Sequence, residues 1–189
     1  MAAPPKNRPR KLLTKSRYIH GLNCKKYVWM EFNAAAEEMP QMTAAIQQRI
    51  DEGLEIEMLA KTAFEGGVDA RDDDFGRALE KTKALVFGMK AGERKAVFEA
   101  GFVAEDFLYA RADVLVPAEG DKWDIVEIKS GTSIKEDTFH DVSFQKYVYE
   151  SSGLKIRKCF FLHLNNEYIR KEDLDLKKLF KKTDITKEV

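Results

Sequence analysis

The spacing of hydrophobic and polar positions changes along the chain, and these changes predict a mixed α/β fold. Apolar residues three or four positions apart, with capping residues at the ends, predict helices over 14–31, 43–64, 75–87 and 141–150. Apolar runs bounded by turn residues predict strands over 95–102, 106–116, 123–129 and 156–164. This order favours helices flanking a central mixed β-sheet, in which a meander leads into a crossover.

The same pattern divides the chain into an arm and one domain. Residues 1–13 are rich in proline and basic residues, so we expect them to form a flexible basic arm. Residues 14–189 are expected to form one domain with a core over about 43–165, followed by a polar, lysine-rich tail with some helical character. No apolar run approaches the roughly 18 residues that span a bilayer. We therefore expect an intracellular protein, cytoplasmic or nucleoid, with no membrane partner.

Charge is distributed unevenly although the formal net charge is zero. The first 30 residues carry eight Lys or Arg and no acid, and the segment from 155 onward carries ten Lys or Arg and six acids. The middle, 31–154, holds 26 acids and 14 basic residues. An acidic centre suits divalent cations and basic flanks suit a polyanion. The alternative is that these charge runs are simply solvated surfaces.

The segment WDIVEIKSG carries the most specific chemical signal. Glu127 and Lys129 are two positions apart on a predicted buried strand, so both side chains point to the same face. The turn at 117–121 would place the preceding strand beside it and bring Asp113 near Glu127. Two other acid-x-Lys triplets, at 93–95 and 175–177, lie in polar stretches without strand context. The alternative interpretation is a buried Glu–Lys ion pair with a structural role.

The long helix adds a third carboxylate to this candidate site. At about 100° per residue, one face of the helix collects a largely apolar stripe made of Ile46, Ile50, Gly53, Glu57, Ala60 and Phe64. Glu57 lies in the middle of that stripe, whereas Glu55 lies on the opposite face. A carboxylate that faces a core needs a partner. A metal ion shared with Asp113 and Glu127 would supply one.

These residues resemble a known family. Gly53-x-x-x-Glu57, Asp113, Glu127-Ile-Lys129 and Gln145-x-x-x-Tyr149 occur in the order found in RecB-like and phage-recombination exonucleases of the PD-(D/E)XK superfamily. The resemblance covers about 45–165. The segment TKSRYIHGLNCKKYVWM is similar to the opening of CRISPR-associated members and of an uncharacterised family of larger proteins. The resemblance implies a restriction-endonuclease-like core.

The resemblance also implies roles for individual residues. One or two Mg²⁺ or Mn²⁺ ions would be held by Asp113, Glu127 and the backbone carbonyl of Ile128, with Glu57 completing the shell. Lys129 would orient or deprotonate the attacking water, or offset charge on the phosphate. In relatives, the helix face that corresponds to Gln145 and Tyr149 supports the site and meets the nucleic acid. Further candidates for phosphate contacts are Lys135, His140 and Lys146. Ordinary polar surface is the alternative for all five.

One departure from the family concerns cysteine. Some relatives hold an iron–sulfur cluster with one early and three late cysteines. Cys24 occupies the early position, but no late cysteine cluster follows and Cys159 lies within a predicted strand. The sequence therefore does not favour a cluster.

Together these features predict a Mg²⁺-dependent nuclease acting on DNA. The expected enzyme is an exonuclease or prefers single strands, and would act in DNA repair, recombination or mobile-element defence, with RNA as another substrate to consider. Two alternatives stay open: a catalytically inactive nucleic-acid-binding module of the same fold, and a structural interaction domain with a buried ion pair.

Overall fold

The computed structural model describes residues 11–134 and 137–189, in which helices flank one mixed sheet. The α/β class predicted from the sequence is confirmed. The helices are α1 Lys15–Asn23, α2 Lys25–Asn33, α3 Ala44–Lys61, α4 Phe75–Phe87, α5 Asp137–Ser151 and α6 Leu176–Leu179. The strands are β1 Leu13–Thr14, β2 Val68–Asp69, β3 Val97–Ala104, β4 Leu108–Pro117, β5 Lys122–Lys129, β6 Lys155–Leu164 and β7 Phe180–Asp184.

The sheet order is β2-β3-β4-β5-β6-β7. Strands β3, β4 and β5 form an antiparallel meander, and β5 then pairs in parallel with β6 through the crossover helix α5. Strand β5 is central, and six of its eight residues, 123–128, are buried. Gly120, with a φ of 64°, lies in the β4–β5 turn, where a side chain would be strained. The predicted meander and crossover are both present.

One edge of β4 is shared by two strands, and this arrangement positions the candidate site. Strand β1 pairs in parallel with Leu108 and Tyr109, whereas β5 pairs with the stretch from Val114 to Pro117. Strand β3 occupies the opposite edge along the same length of β4. Within the described residues, the stretch 110–113 therefore has no strand partner on the β1–β5 edge. Side chains rather than backbone must fill that gap.

The N-terminal region differs from its prediction. The single helix expected over 14–31 is two helices, because the backbone of Cys24 is extended (φ −153°, ψ 104°) and turns α2 back onto α1. Gly21 of α1 faces the side chain of Val28 in α2, where a Cβ would make an ordinary van der Waals contact at 3.4 Å. Residues 12 and 13, expected in the arm, instead belong to the folded domain. Leu12 is buried and Leu13 begins β1, while 1–10 lie outside the described residues.

The other boundaries differ by smaller amounts. Helix α3 ends at Lys61 rather than at 64, and α5 begins at Asp137 rather than at 141. The lysine-rich tail contributes strand β7 in addition to the four-residue helix α6. The sheet therefore extends beyond the core expected over 43–165. Among the described residues, no helix combines the length and apolar character needed to cross a membrane.

Candidate active site

Asp113 fills the gap on the edge of β4. Its Oδ2 accepts a hydrogen bond of 2.7 Å from the backbone N–H of Ile128, just beyond the last backbone pair of β4 and β5, Val114 with Val126. A carboxylate thus takes the place of a backbone carbonyl where the two strands diverge. This geometry brings Asp113 and the end of β5 together, as the sequence predicts.

Glu127 is the most completely bonded side chain of the site. It is only 2% exposed. Its Oε1 lies 2.6 Å from Nζ of Lys15 and 2.9 Å from Nζ of Lys129, and its Oε2 accepts a 2.7 Å hydrogen bond from Nε2 of Gln145. Lys129 also lies 2.8 Å from Oδ2 of Asp141. The two-residue spacing on β5 places Glu127 and Lys129 on one face, as expected.

Burial and charge affect the two acids in opposite ways. Burial, together with repulsion from Glu127, raises the pKa of Asp113 to about 7. Burial would also raise the pKa of Glu127, but the ammonium groups of Lys129 and Lys15 outweigh it and hold that pKa well below its ordinary value. Burial would lower the pKa of Lys129, yet Glu127 and Asp141 raise it above the ordinary value. Lys129 therefore remains a cation at neutral pH, whereas Asp113, with its raised pKa, keeps its proton to a higher pH than an ordinary aspartate.

Glu57 belongs to a neighbouring cluster. It lies half-buried on the inward face of α3 while Glu55 is exposed, as the helical phase predicts. Lys61, one turn further along α3, pairs with both Glu57 and the buried Glu99 of β3. Burial and a hydrogen bond with Glu99 raise the pKa of Glu57. Repulsion from Glu57 also contributes to the raised pKa of Asp113, so the two carboxylates interact through space.

The apolar stripe predicted on α3 is only partly correct. Its C-terminal half faces the sheet, where Ala60 is buried and packs with Val114 and Val126 of the strands. Ile46, near the start of the helix, is 46% exposed. The first turns of α3 extend past the sheet, so helical phase alone does not bury them.

The donor set fits a hard divalent cation. Mg²⁺ prefers oxygen ligands and binds through one or two carboxylates, and Asp113 and Glu127 form such a pair beside the backbone of Ile128. Oε1 of Gln145 is buried and has no hydrogen-bond partner among the described residues. A buried acceptor without a donor requires an explanation, and a ligand at this pair would provide one. In the described part of the chain, no group of three or more His, Cys, Asp or Glu side chains is arranged to hold a metal ion. The convergence of Glu57 on the pair stays a prediction.

Comparisons with known proteins do not decide the family. No protein-family model and no curated protein matches the sequence. Among solved structures, the crystal structure of SSO0001 aligns with a TM-score of 0.38 and 12% identity, covering 91% of this chain and 73% of that one. A likeness at this level carries no weight for fold family or function. The PD-(D/E)XK resemblance stays a prediction.

The remaining candidates occupy different environments. Gln145 and Tyr149 share one face of α5 and are fully buried, so they support the site from within rather than from its solvent side. The Tyr149 hydroxyl accepts a hydrogen bond from the N–H of Ala112 and donates one to the carbonyl of Ala100, linking β3 and β4. Lys146 is half-buried and donates to the carbonyl of Val189.

The last residues singled out in the sequence are His140 and Lys135, predicted to contact nucleic acid, and the two cysteines. His140 is exposed, and Lys135 lies outside the described residues. Phosphate contacts by Lys135, His140 and Lys146 stay predictions. Cys24 is exposed, and Cys159 is buried in β6, where burial raises the pKa of its thiol to about 12. Cys159 is thus part of the core, as expected.

Sequence analysis missed five charged residues in these clusters: Lys15, Asp141, Lys61, Glu99 and Arg111. Lys15 is 112 positions from Glu127 and reaches it only because β1 pairs with β4. A signal was present, since Leu12 and Leu13 precede the N-cap Thr14, but these residues were assigned to the arm. Asp141 follows Lys129 by twelve positions on the next helix. Nothing in its local sequence distinguishes it from other acids of the chain.

Proposed function

We propose that the chain is a divalent-metal-dependent nuclease that hydrolyses phosphodiester bonds of DNA, in the manner of PD-(D/E)XK enzymes. The observation that carries the proposal is the meeting of Asp113, Glu127 and Lys129 where β4 and β5 diverge. Two buried carboxylates and an ammonium group at one point combine oxygen ligands for a cation with a positive charge for a phosphate. The acidic middle of the chain and its basic flanks suit the same substrate.

Asp113, Glu127 and the backbone carbonyl of Ile128 would hold Mg²⁺ or Mn²⁺, with Glu57 as the additional carboxylate. Such a cation would supply Lewis-acid chemistry, lowering the pKa of an attacking water and offsetting charge on the phosphate. Gln145 fixes one oxygen of Glu127 and has its own carbonyl oxygen free to accept a hydrogen bond. The protein thus orients the carboxylate pair from two directions, through α5 and through the backbone of β5.

Lys129 supplies a positive charge beside the carboxylate pair. Glu127 and Asp141 raise its pKa, so the amine is protonated at neutral pH in the metal-free site. Asp141 is its second carboxylate partner, at 2.8 Å. As an ammonium group, Lys129 would orient the water or stabilise negative charge that develops on the phosphate. Deprotonation of the water by Lys129 stays a proposal for the metal-bound site.

A structural ion pair is the competing hypothesis. It draws on the three donors that satisfy Glu127 without any ligand. It explains neither the raised pKa of Asp113 nor the buried side-chain oxygen of Gln145, which has no hydrogen-bond partner among the described residues. An inactive nucleic-acid-binding module would need the basic surfaces to bind nucleic acid, but it would not need two carboxylates at one point.

The test is cleavage of labelled single- and double-stranded DNA and of RNA by the full chain in Mg²⁺, Mn²⁺ or EDTA. We expect cleavage of DNA that requires the metal and disappears in Glu127→Gln. Glu93→Gln is the matched control, because Glu93 also precedes a lysine by two positions but is exposed. No metal-dependent cleavage, or equal cleavage by Glu127→Gln, would refute the proposed function. Binding of DNA without cleavage would support the inactive module.

A further inference from the structure

The N-terminal region reaches the candidate site through Lys15. This lysine is the first residue of α1 and follows β1 directly, so the pairing of β1 with β4 fixes the position of its backbone. Its side chain is 24% exposed, and its Nζ lies 2.6 Å from Oε1 of Glu127. Lys15 thus stands between the solvent and the most buried carboxylate of the site.

The contacts of Glu127 place two ammonium groups where they would repel a bound metal ion. Oε1 accepts from both Lys15 and Lys129, and Oε2 accepts from Gln145. Among the described residues, Oε2 accepts a hydrogen bond from Gln145 alone, so a divalent cation can bind this oxygen, but it repels the two ammonium groups on Oε1.

Lys15 is the group that can leave. Lys129 has a second carboxylate partner, Asp141, at 2.8 Å, which can retain it beside the site. Within the described residues, the side chain of Lys15 hydrogen-bonds to Glu127 alone. Once released, its flexible four-carbon stem leaves the ammonium close by, because β1 holds the backbone in place. The positive end of α1 lies at the same residue and favours an anion there.

We propose that Lys15 is a phosphate-binding residue that occupies Glu127 until a metal binds and then holds a phosphate oxygen of the nucleic acid. The inference rests on the proposed function, since it assumes a divalent cation at Asp113 and Glu127. It adds that the N-terminal region forms part of the substrate site. The ammonium of Lys15 exchanges one anionic partner for another, so Lys15 is paired with an anion in both states.

The unmodified protein provides the first test. Brief acetylation followed by mass spectrometry measures how reactive each lysine is. Lys15 should be protected without metal, react faster in Mg²⁺, and be protected again when Ca²⁺ and a DNA oligonucleotide are both present. Lys25 is the internal control, because it is the first residue of α2 and is exposed; its reactivity should not follow this pattern. If Mg²⁺ leaves the reactivity of Lys15 unchanged, Lys15 does not leave Glu127 and the inference is wrong.

The second test compares Lys15→Met, Lys15→Arg and the control Lys25→Met. Ca²⁺ tolerates flexible oxygen coordination, so DNA binding is measured with Ca²⁺ over a range of monovalent salt. Lys15→Met should reduce the slope of log affinity against log salt by about 0.7 for single strands or about 0.9 for duplex, the loss of one phosphate contact. Lys15→Arg should restore the slope. Lys15→Met should also bind Mn²⁺ more tightly, by about fivefold or more, because a competing cation is gone.

The possible outcomes distinguish failure of this inference from failure of the proposed function. If the wild type binds neither Mn²⁺ nor DNA, the proposed function fails and this inference fails with it. If the wild type binds both but Lys15→Met keeps the full salt slope, only this inference fails. A purely structural Lys15 would weaken Mn²⁺ binding when replaced and would leave the slope unchanged. Should Lys15→Met not fold, the acetylation pattern of the wild type still decides.

Discussion

Two clusters of buried charge lie side by side on the sheet, and their charged residues have a similar arrangement. The Glu127 cluster consists of Lys15, Asp113, Glu127, Lys129, Asp141 and Gln145. The Glu99 cluster consists of Glu57, Lys61, Glu99 and Arg111. Each contains a buried glutamate bound by two cations and a second carboxylate whose pKa is raised. A buried glutamate with cations around it is therefore no evidence for a catalytic site on its own.

The two clusters differ in what they leave unsatisfied. Each oxygen of Glu99 has its own cation, Lys61 on Oε1 and Arg111 at 2.8 Å from Oε2. Glu99 achieves this with a φ of 56° in the middle of β3, a conformation that costs of the order of 1–3 kcal/mol in a residue other than glycine. In the Glu127 cluster, by contrast, the described residues give Asp113 only a backbone donor and leave the side-chain oxygen of Gln145 without a hydrogen-bond partner. A complete ion-pair network suits a structural role, and an incomplete one suits a ligand.

The largest expected effect separates the clusters by activity. Asp113→Asn, Glu127→Gln and Lys129→Met should each lower DNA cleavage by about 10³-fold or more, because each removes a metal ligand or the charge that stabilises the phosphate. Circular dichroism and a melting curve establish that each variant is folded before the rates are compared, because removing one partner of a buried ion pair can cost about 3–5 kcal/mol. Glu99→Gln should cleave at close to the wild-type rate. Near-normal cleavage by any of the first three variants would mean that the site is wrongly assigned.

Stability should test the structural role of Glu99. Glu99→Ala should lower the free energy of unfolding by about 3–5 kcal/mol, because it leaves Lys61 and Arg111 without their buried partner. Urea unfolding measures this. Glu105→Ala is the matched control, since Glu105 also has a positive φ of 49° but is exposed. If both variants lose the same stability, the cost comes from backbone conformation rather than from the ion pairs, and the structural role of Glu99 is not supported.

Metal binding should affect only one cluster. Mn²⁺ binds the folded state, so at about 100 times its dissociation constant it should raise the free energy of unfolding by roughly 2.7 kcal/mol. Asp113→Asn should remove most of this gain, while Glu99→Gln should retain it. Melting curves with Mn²⁺ and with EDTA provide the measurement. A wild type that is indifferent to millimolar Mn²⁺, with variants that are merely unstable, would favour the structural ion pair.

The pH dependence tests the unsatisfied carboxylate directly. The pKa of Asp113 is raised from 3.8 to about 7, so the folded protein keeps a proton that the unfolded chain has already lost. The stabilisation from this proton is complete below pH 3.8 and is lost as pH rises toward 7. In EDTA, wild-type stability should therefore fall between pH 5 and 7 relative to Asp113→Asn, by up to about 1.4 kcal/mol for each pH unit. Parallel stability curves for the two proteins would contradict the raised pKa.

The sequence predicted the centre of the molecule better than its edges. Strands β4 and β5 were found because their apolar runs are long, and Glu127 and Lys129 follow from strand geometry alone. Strands β1 and β2 are two residues each, too short for any periodicity, and β7 reads FKKTD, with lysines where an apolar alternation would be needed. Such edge strands form through partners that are distant in sequence. Lys15 was missed for the same reason, because its place depends on β1.

The Glu99 cluster could not have been predicted at all. Nothing local marks Glu99 for a positive φ, a conformation that glycine, asparagine and aspartate adopt more readily. Only the assembled sheet and α3 bring Lys61 and Arg111 to it. The helical phase correctly predicted that Glu57 faces inward. It could not show that the Glu57 carboxylate would pair with Lys61.

The smallest expected effect concerns Glu57, which lies between the two clusters. Its carboxylate pairs with Lys61 and also repels Asp113, so it belongs to the Glu99 cluster by contact and to the Glu127 cluster by charge. Glu57→Gln should lower cleavage by about tenfold, the lower range for groups that support metal ligands. Glu55→Gln should leave cleavage unchanged, because Glu55 is exposed two positions away on the same helix. Rates with saturating Mn²⁺ give the comparison. Equal effects of the two variants would place Glu57 with the structural cluster alone, and the third carboxylate of the metal site would then have to be abandoned.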